Sequence, residues 1–173
     1  MKVLVFGGTR FVGKALVSRL LSKGHDIFIF TRGNLTVPKN VTHLKGDRSN
    51  DEDLKKISDY SFDLIVDSSG RKLEDTQRLL KFSGLPNFRF VYISSAGVYK
   101  NMESFPVGEE SQIDIESRHI GKAETESWLK AEGIAFTSFR PTYIYGPGNY
   151  NQIEKWFFDR ITNSRSIPIP LDK

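Results

Sequence analysis

The stretch Lys2-Val3-Leu4-Val5-Phe6-Gly7-Gly8-Thr9-Arg10-Phe11-Val12-Gly13-Lys14-Ala15-Leu16-Val17-Ser18-Arg19-Leu20-Leu21 decides the fold. It opens with an apolar strand-like run, passes through a glycine turn at Gly7-Gly8, and continues into a helix-like segment from Lys14. A buried strand, a tight turn and a helix N-terminus together make a socket for a dinucleotide pyrophosphate. The turn lets the backbone approach the ligand, and unpaired helical N–H groups point at the anion. The usual fingerprint has three glycines, and this loop has lost one. Read as G-x-x-G-x-x-G, it keeps Gly7 and Gly13 and carries Arg10 between them; read as G-x-x-x-G-x-G, the middle position is Phe11. Gly7, Gly8, Thr9, Arg10, Phe11, Val12 and Gly13 are thus the expected dinucleotide contacts. A turn of this kind also serves plain helix packing, but the strand–turn–helix context favours a ligand.

The same alternation runs down the chain. Strands are predicted at 26–30, 41–44, 62–67, 88–93 and 136–139. Helices are predicted from Asn50 or Asp51 to Ser58, from Leu73 through Leu80 to a stop at Gly84 and Pro86, from Ser117 to Glu132 and from Gln152 to Thr162. Strands that are near-continuous apolar runs, alternating with helices, imply a parallel sheet covered on both faces. The expected fold is α/β: a Rossmann-type, doubly wound, three-layer αβα domain with strand order 3-2-1-4-5-6 and ligands at the carboxyl ends of the strands. The loop after the fifth strand is longer than a connection needs, which marks it as lining a site.

Composition excludes several chemistries. The chain of 173 residues is 38% hydrophobic and 27% charged, an ordinary globular balance. It has no cysteine, which rules out disulfides, thiolate zinc sites and cysteine nucleophiles. Its histidines, His25, His43 and His119, are scattered, so no metal is expected. No apolar run approaches the ~20 residues of a membrane helix, and the N-terminus reads as a strand rather than a signal peptide. A cytoplasmic protein is expected, or a stromal one for a mature plastid chain. Charge is unevenly spread: residues 1–48 hold nine Lys/Arg against two acids, and residues 101–132 hold three against eight. The basic end suits anionic partners.

An arginine follows each of the first four strands: Arg10, Arg32, Arg48 and Arg71. All four are expected at the carboxyl rim. Where NAD binds, an acid after the second strand usually holds the ribose hydroxyls, but here Thr31-Arg32 stands instead, better suited to a 2′-phosphate. NADP is therefore expected over NAD, with Arg32 and Arg48 among its contacts and Asp47 at the adenine edge. Arginines left over would suit a larger polyanion such as RNA.

Gly7 to Gly13, Lys45-Gly46-Asp47, Tyr92-Ile93-Ser94-Ser95-Ala96-Gly97-Val98-Tyr99, Lys122 with Glu126, and Arg140-Pro141-Thr142-Tyr143-Ile144-Tyr145-Gly146-Pro147 together resemble the extended short-chain dehydrogenase/reductase family, which includes nucleotide-sugar epimerases and dehydratases. That resemblance implies a serine, a tyrosine and a lysine as the reacting groups, the lysine ammonium lowering the phenol's pKa. Ser95 matches the serine, and Lys122 the lysine that also contacts the cofactor. Four residues before Lys122, where the tyrosine belongs, stands Arg118. An arginine stays protonated at any working pH and cannot be the acid–base. His119 is adjacent and titrates in the right range, but lies about 100° around a helix from Arg118.

A narrower resemblance gathers these oddities. Gly-Gly-Thr-Arg-Phe-Val-Gly, Lys45-Gly46-Asp47-Arg48, Ser117-Arg118-His119-Ile120-Gly121-Lys122, and Tyr145-Gly146-Pro147 with Asn149-Tyr150-Asn151 and Trp156-Phe157-Phe158 are similar to the chloroplast stem-loop-binding protein family and its cyanobacterial relatives. It implies RNA binding or RNA processing, endoribonucleolytic if enzymatic. The alternatives are an NADP-dependent epimerase, dehydratase or reductase acting on a nucleotide-sugar, and a non-catalytic redox-sensing scaffold. Members of either family continue well beyond 173 residues. The chain is therefore expected to be one Rossmann domain whose residues 151–173 begin a missing C-terminal part. The aromatic segment 143–158 is expected to pack on that part, on a partner subunit or in self-association.

Overall fold

The computed structural model describes residues 1–87, 89–100, 106–151 and 153–169. Phe88 and Gln152, the predicted first residues of a strand and a helix, lie outside the described residues, as do part of the long loop and the final Leu171-Asp172-Lys173. The elements run β1 (Lys2–Phe6), α1 (Phe11–Ser22), β2 (Asp26–Thr31), β3 (Thr42–Lys45), α2 (Asp51–Leu54), β4 (Leu64–Asp67), α3 (Leu73–Ser83), β5 (Arg89–Ile93), α4 (Ile120–Ala131), β6 (Phe136–Phe139) and α5 (Ile153–Thr162). Single 3₁₀ turns follow α2 at Lys55–Ile57 and β5 at Ala96–Val98. The strands form one sheet in the order β3-β2-β1-β4-β5-β6, every pair parallel, as the alternation predicts.

Side-chain alternation explains the layers. Val3, Val5, Ile27 and Ile29 point to one face and meet Val17 of α1. Leu4, Phe6, Phe28 and Phe30 point to the other and meet Leu54, Leu79 and Leu129 from α2, α3 and α4. One face is β-branched and the other aromatic, with Phe6 and Phe30 stacked at 4.8 Å between ring centres. β3 and β4 begin one and two residues later than predicted, and two helix starts differ further. α1 begins at Phe11, before Lys14, because the turn feeds straight into it. α4 begins at Ile120, and Ser117 does not cap it: the Ser117 hydroxyl donates to the Gly97 carbonyl (2.5 Å) and accepts from the His119 amide (3.0 Å).

The chain divides into two compact units, Met1–Thr142 and Tyr143–Lys173. In the second, α5 buries none of its residues; Trp156 meets Phe157 edge-on, and the Arg160 guanidinium lies 4.4 Å from the Trp156 ring centre.

The interior of the first unit holds one fully buried acid at a strand end. Asp67, the last residue of β4, accepts two bonds from the Arg48 guanidinium, at 2.9 and 2.7 Å, and two backbone amides, from Ser69 (3.0 Å) and Gly70 (2.8 Å). Arg48 also donates to Ser69 Oγ, lies 3.7 Å from the Asp75 carboxylate, and stacks 5.3 Å from the Phe6 ring centre. This pair ties the exit of β3 to the exit of β4 across β2 and β1. Asp67→Asn keeps the shape but leaves the cation uncompensated, and should lower stability by about 3–5 kcal/mol. Adding Arg48→Met should restore part of the loss; urea denaturation that finds Asp67→Asn neutral would refute this account.

Candidate functional site

The glycine turn is built to bring backbone close to α1. Gly7 and Gly8 sit at φ +100° and +89°, conformations that side chains rarely adopt. A Cβ on Gly13 would stand 2.6 Å from the Gly8 nitrogen, so the first turn of α1 rests directly on the β1–α1 turn. Arg10 precedes α1 in extended conformation, makes no side-chain cap, and is followed by a first turn without an acid. The N-terminal amides are thus not capped by any carboxylate of that turn. Phe11 has φ +29°, which fits the spacing that puts the lost glycine at this position.

At the exits of β2 and β3 lies an open cleft of about 310 Å³ lined by Arg32, Lys45, Gly46, Asp47, Asp53 and Lys56. Thr31 is occupied, its hydroxyl 2.9 Å from His43 Nε2, which leaves Arg32 as the exposed polar group of that turn. The Lys45 stem lies over Gly33, whose Cβ would come within 2.7 Å of Lys45 Cε. The Asp47 carboxylate accepts from the Ser49 hydroxyl (2.6 Å) and amide (2.9 Å). Those bonds hold its pKa below the ordinary range, with Arg32 adding to the effect against some desolvation. Lys56 donates to Asp53 (2.6 Å) and to the Lys45 carbonyl (2.8 Å), bracing the cleft floor.

Arg48 corrects the expected rim. Its guanidinium turns inward onto Asp67, with only 17% of the side chain exposed, so it is not a free phosphate contact. Burial alone would raise the Asp67 pKa, but Arg48 and the two amides hold it below the usual carboxylate range. Arg10, Arg32 and Arg71 are exposed as expected.

The third cluster joins the exit of β5 to the start of α4. Ser95 Oγ accepts the Gly97 amide at 3.1 Å. Gly97 is exposed, and a Cβ there would meet His119 Cδ2 at 2.6 Å, His119 Nε2 at 3.1 Å and Ser95 Oγ at 3.3 Å. The imidazole and the serine hydroxyl therefore flank one bare glycine. Arg118 Nε donates to His119 Nε2 at 3.1 Å, and no side chain caps α4. Burial, then Arg118, Lys122 and Arg71 in that order, push the imidazole pKa below its ordinary value. The Lys122 ammonium donates to the Ile93 carbonyl (2.5 Å) and lies 5.2 Å from the Tyr92 ring centre. Burial lowers its pKa, partly offset by Asp67. Tyr92, the phenol beneath it, offers no substitute relay: it is fully buried, donates to the Gly70 carbonyl (3.3 Å), and burial drives its pKa up.

A second buried acid braces this cluster from α4. Glu126 accepts Arg140 Nε at 3.0 Å, Arg140 Nη2, and the Ser138 hydroxyl at 2.7 Å. Arg140 Nη1 continues to the Tyr99 hydroxyl (2.6 Å) and the Glu109 carbonyl (2.9 Å), fastening the loop after β5. The sequence had flagged Glu126 and Arg140 only as parts of separate motifs. In the sequence Asp67 stands as a strand end, and an acid closing an apolar run before Ser-Ser-Gly signals an amide-accepting turn.

The strand order, the glycine turn and the cleft at the strand exits define a Rossmann-type dinucleotide-binding fold. A family model described as "NAD dependent epimerase/dehydratase family" matches residues 3–168, and the chain belongs to that family. Among curated relatives, the chloroplast stem-loop binding protein of 41 kDa b from Arabidopsis thaliana is 41% identical over 98% of this chain and 49% of its own length. A 3-beta-hydroxysteroid dehydrogenase from Mycolicibacterium neoaurum is 26% identical over 90% of this chain and 51% of its own. The chain spans about half the length of these curated relatives. Among solved structures, the UDP-glucose 4-epimerase of Thermotoga maritima with UDP-glucose aligns at a TM-score of 0.82 and 20% identity, over 99% of this chain and 66% of that one. The Thermus thermophilus UDP-glucose 4-epimerase complex with NAD aligns at 0.73 and 18%, over 96% and 64%. The first, broader resemblance drawn from the sequence is thereby borne out, and so is the expected fold.

The shifts fix how stability varies with pH. His119 binds its proton less readily folded than unfolded, so its contribution is present above its ordinary value, about 6.5, and fades as pH falls below it. Asp67 and Glu126 are also lowered, so theirs persists to about pH 4 and is lost on further acidification. NMR titration should find the His119 midpoint below 6.5, and His119→Asn should flatten stability between about pH 7 and pH 5. A midpoint at or above about 6.5 would contradict this electrostatic assignment.

Proposed function

We propose that this chain is the dinucleotide-binding part of an atypical reductase-fold protein that holds NADP or NAD, lacks the Tyr-x-x-x-Lys relay, and has RNA as its partner. One observation carries the reading. Where the relay tyrosine would stand, Arg118 donates to His119, while the glycine turn keeps Gly7, Gly8 and Gly13 in close approach to α1. The close approach of α1 to the glycine turn at Gly13 and the α1 amides fit a pyrophosphate, and the cleft at Arg32 and Lys45 fits a 2′-phosphate. Gly7 to Gly13 would hold the pyrophosphate, Arg32 the adenosine end, Asp47 the adenine edge and Lys122 the nicotinamide ribose. The bound dinucleotide supplies hydride chemistry; the residues of this chain bind and orient it.

RNA as partner draws support from the exposed Arg10, Arg32 and Arg71 and from the stem-loop-binding name of the 41% identical relative. A plastid stroma or a cytoplasm is the compartment this reading implies; no helix among the described residues is long and apolar enough to cross a membrane. Residues from Tyr143 onward, with their exposed rings, then serve as contact for a further part of the protein, a partner subunit or a second copy. A second reading keeps catalysis: Ser95 and His119 flank Gly97, Lys122 sits at the Ile93 carbonyl with its charge acting on His119, and the three together would move a proton on a nucleotide-sugar.

Calorimetric titration should show NADP⁺ binding at least about tenfold tighter than NAD⁺, with Arg32→Ala abolishing the preference. Equal affinities would refute the 2′-phosphate assignment. Retention of single-stranded RNA should weaken steeply with salt, and Arg71→Ala should reduce the log–log slope by roughly 0.7, one phosphate contact. Absence of retention at low salt would remove RNA, and turnover of UDP-glucose would establish the second reading instead.

A further inference from the structure

We infer that the groups around Gly97 form a second oxyanion site, separate from the glycine-turn cradle, in which Arg118, Arg71 and Lys122 bind a phosphate group against His119 and Ser95. Where a phenol would receive a neutral hydroxyl, this chain presents cations. The inference deepens the RNA reading by naming the moiety that one part of the surface takes, and its test separates the two.

The geometry converges on one point. The Arg118 guanidinium is fixed beside the imidazole by the 3.1 Å bond to His119 Nε2, while the side chain itself remains exposed. Gly121, in the first turn of α4, rests on the 71–72 backbone, where a Cβ would stand 2.6 Å from the Arg71 carbonyl oxygen, and the Arg71 charge acts on His119. Larger residues would push that loop away. Lys122 lies one residue further along α4, its ammonium held at the Ile93 carbonyl. Ser95 supplies a hydroxyl, and the absence of a side chain at exposed Gly97 lets the His119 ring edge pack close beside it.

The charge balance points the same way. Two acids lie close enough to act on Lys122, Asp67 and Glu126, and both are already paired, with Arg48 and with Arg140. Among the described residues, Arg71, Arg118 and Lys122 form no ion pair. The first turn of α4 has no acid, so the helix end adds its partial positive charge to theirs. Three cations gathered without a counter-ion repel one another, and an anion relieves that repulsion. Burial first, and then the charges of Arg118, Lys122 and Arg71, hold the His119 pKa down, so all three cations act at the imidazole. A phosphate fits better than a carboxylate, since planar guanidinium forks from two directions and a hydroxyl match its several oxygens.

The test follows the His119 ring by NMR in the 173-residue chain. Inorganic phosphate should shift the His119 ring signals saturably, leave those of His25 and His43 in place, and raise the His119 midpoint by roughly one pH unit. Arg118→Ala and Arg71→Ala, both at exposed positions, should each weaken the apparent phosphate affinity at least about tenfold, the order of one charge-assisted hydrogen bond. Arg19→Ala, which removes an equal charge from the far end of α1, should not. Equal shifts at all three histidines, or unchanged affinity in Arg118→Ala, would overturn the site. A short oligoribonucleotide provides the other arm. Perturbation of His119 at lower concentration than free phosphate supports the site as a backbone-phosphate contact. RNA binding that leaves His119 unmoved even though phosphate shifts it supports a site for free phosphate groups. If phosphate moves His119 and RNA does not bind at all, the site stands and the RNA reading falls.

Discussion

The buried pair of Asp67 and Arg48 is the constraint on which the ligand-binding edge depends. A parallel sheet of this type ends in a row of separate loops, each free to splay. Here one carboxylate at the end of β4 accepts a guanidinium from the β3 exit and two amides from its own turn, so three polar demands close in one place. Desolvating an acid this completely costs several kcal/mol, and the cost is recovered only when every lone pair is used. The 68–72 turn is thereby fixed, and Tyr92 is fixed with it through the Gly70 carbonyl. Arg71 follows from the same turn, and α4 rests on its backbone through Gly121. The interaction is structural in the first instance. Its consequence is that side chains from β1, β4, β5 and α4 share one frame.

Glu126 with Arg140 repeats the device on the other side of β5. Again a buried acid on one element accepts a guanidinium from another, and again the remaining donors of the arginine reach a loop. Two such pairs bracket Lys122. They hold negative charge near it without leaving that charge available to Arg71 or Arg118. The two acids favour the charged form of Lys122 against its burial. Each acid is also paired with a dedicated arginine, so the positive charge of Arg71 and Arg118 is left at the surface.

The fold was legible because its signal is repeated. Each strand is an apolar run of the right length, each is followed by turn chemistry, and one handedness rule then orders the sheet. The glycine turn was legible for a local reason, since Gly13 has backbone against it and admits no side chain. What was not legible lies in pairings distant in sequence. Arg48 follows a strand just as Arg32 does, and nothing local says that one turns inward and the other outward. The difference is set by Asp67, nineteen positions on. Helix α4 shows the same limit on a smaller scale: Ser117 has the chemistry of a cap, but its hydroxyl is taken by Gly97, and the helix waits for Ile120.

The exchange at position 118 changes more than one proton transfer. A tyrosine beside a lysine is a switchable group: neutral as the phenol, anionic when the ammonium and the cofactor favour it. An arginine at that place is never neutral, so it cannot exchange a proton, and its fixed charge acts on every neighbour. Burial and then the Arg118 charge push His119 toward its neutral form. A neutral imidazole beside a guanidinium presents an acceptor nitrogen, and Arg118 fills that acceptor in the structure. Any ligand that draws Arg118 away therefore uncovers His119 Nε2 and changes its protonation together. Binding and proton affinity are coupled at this point by geometry alone, with no tyrosine required.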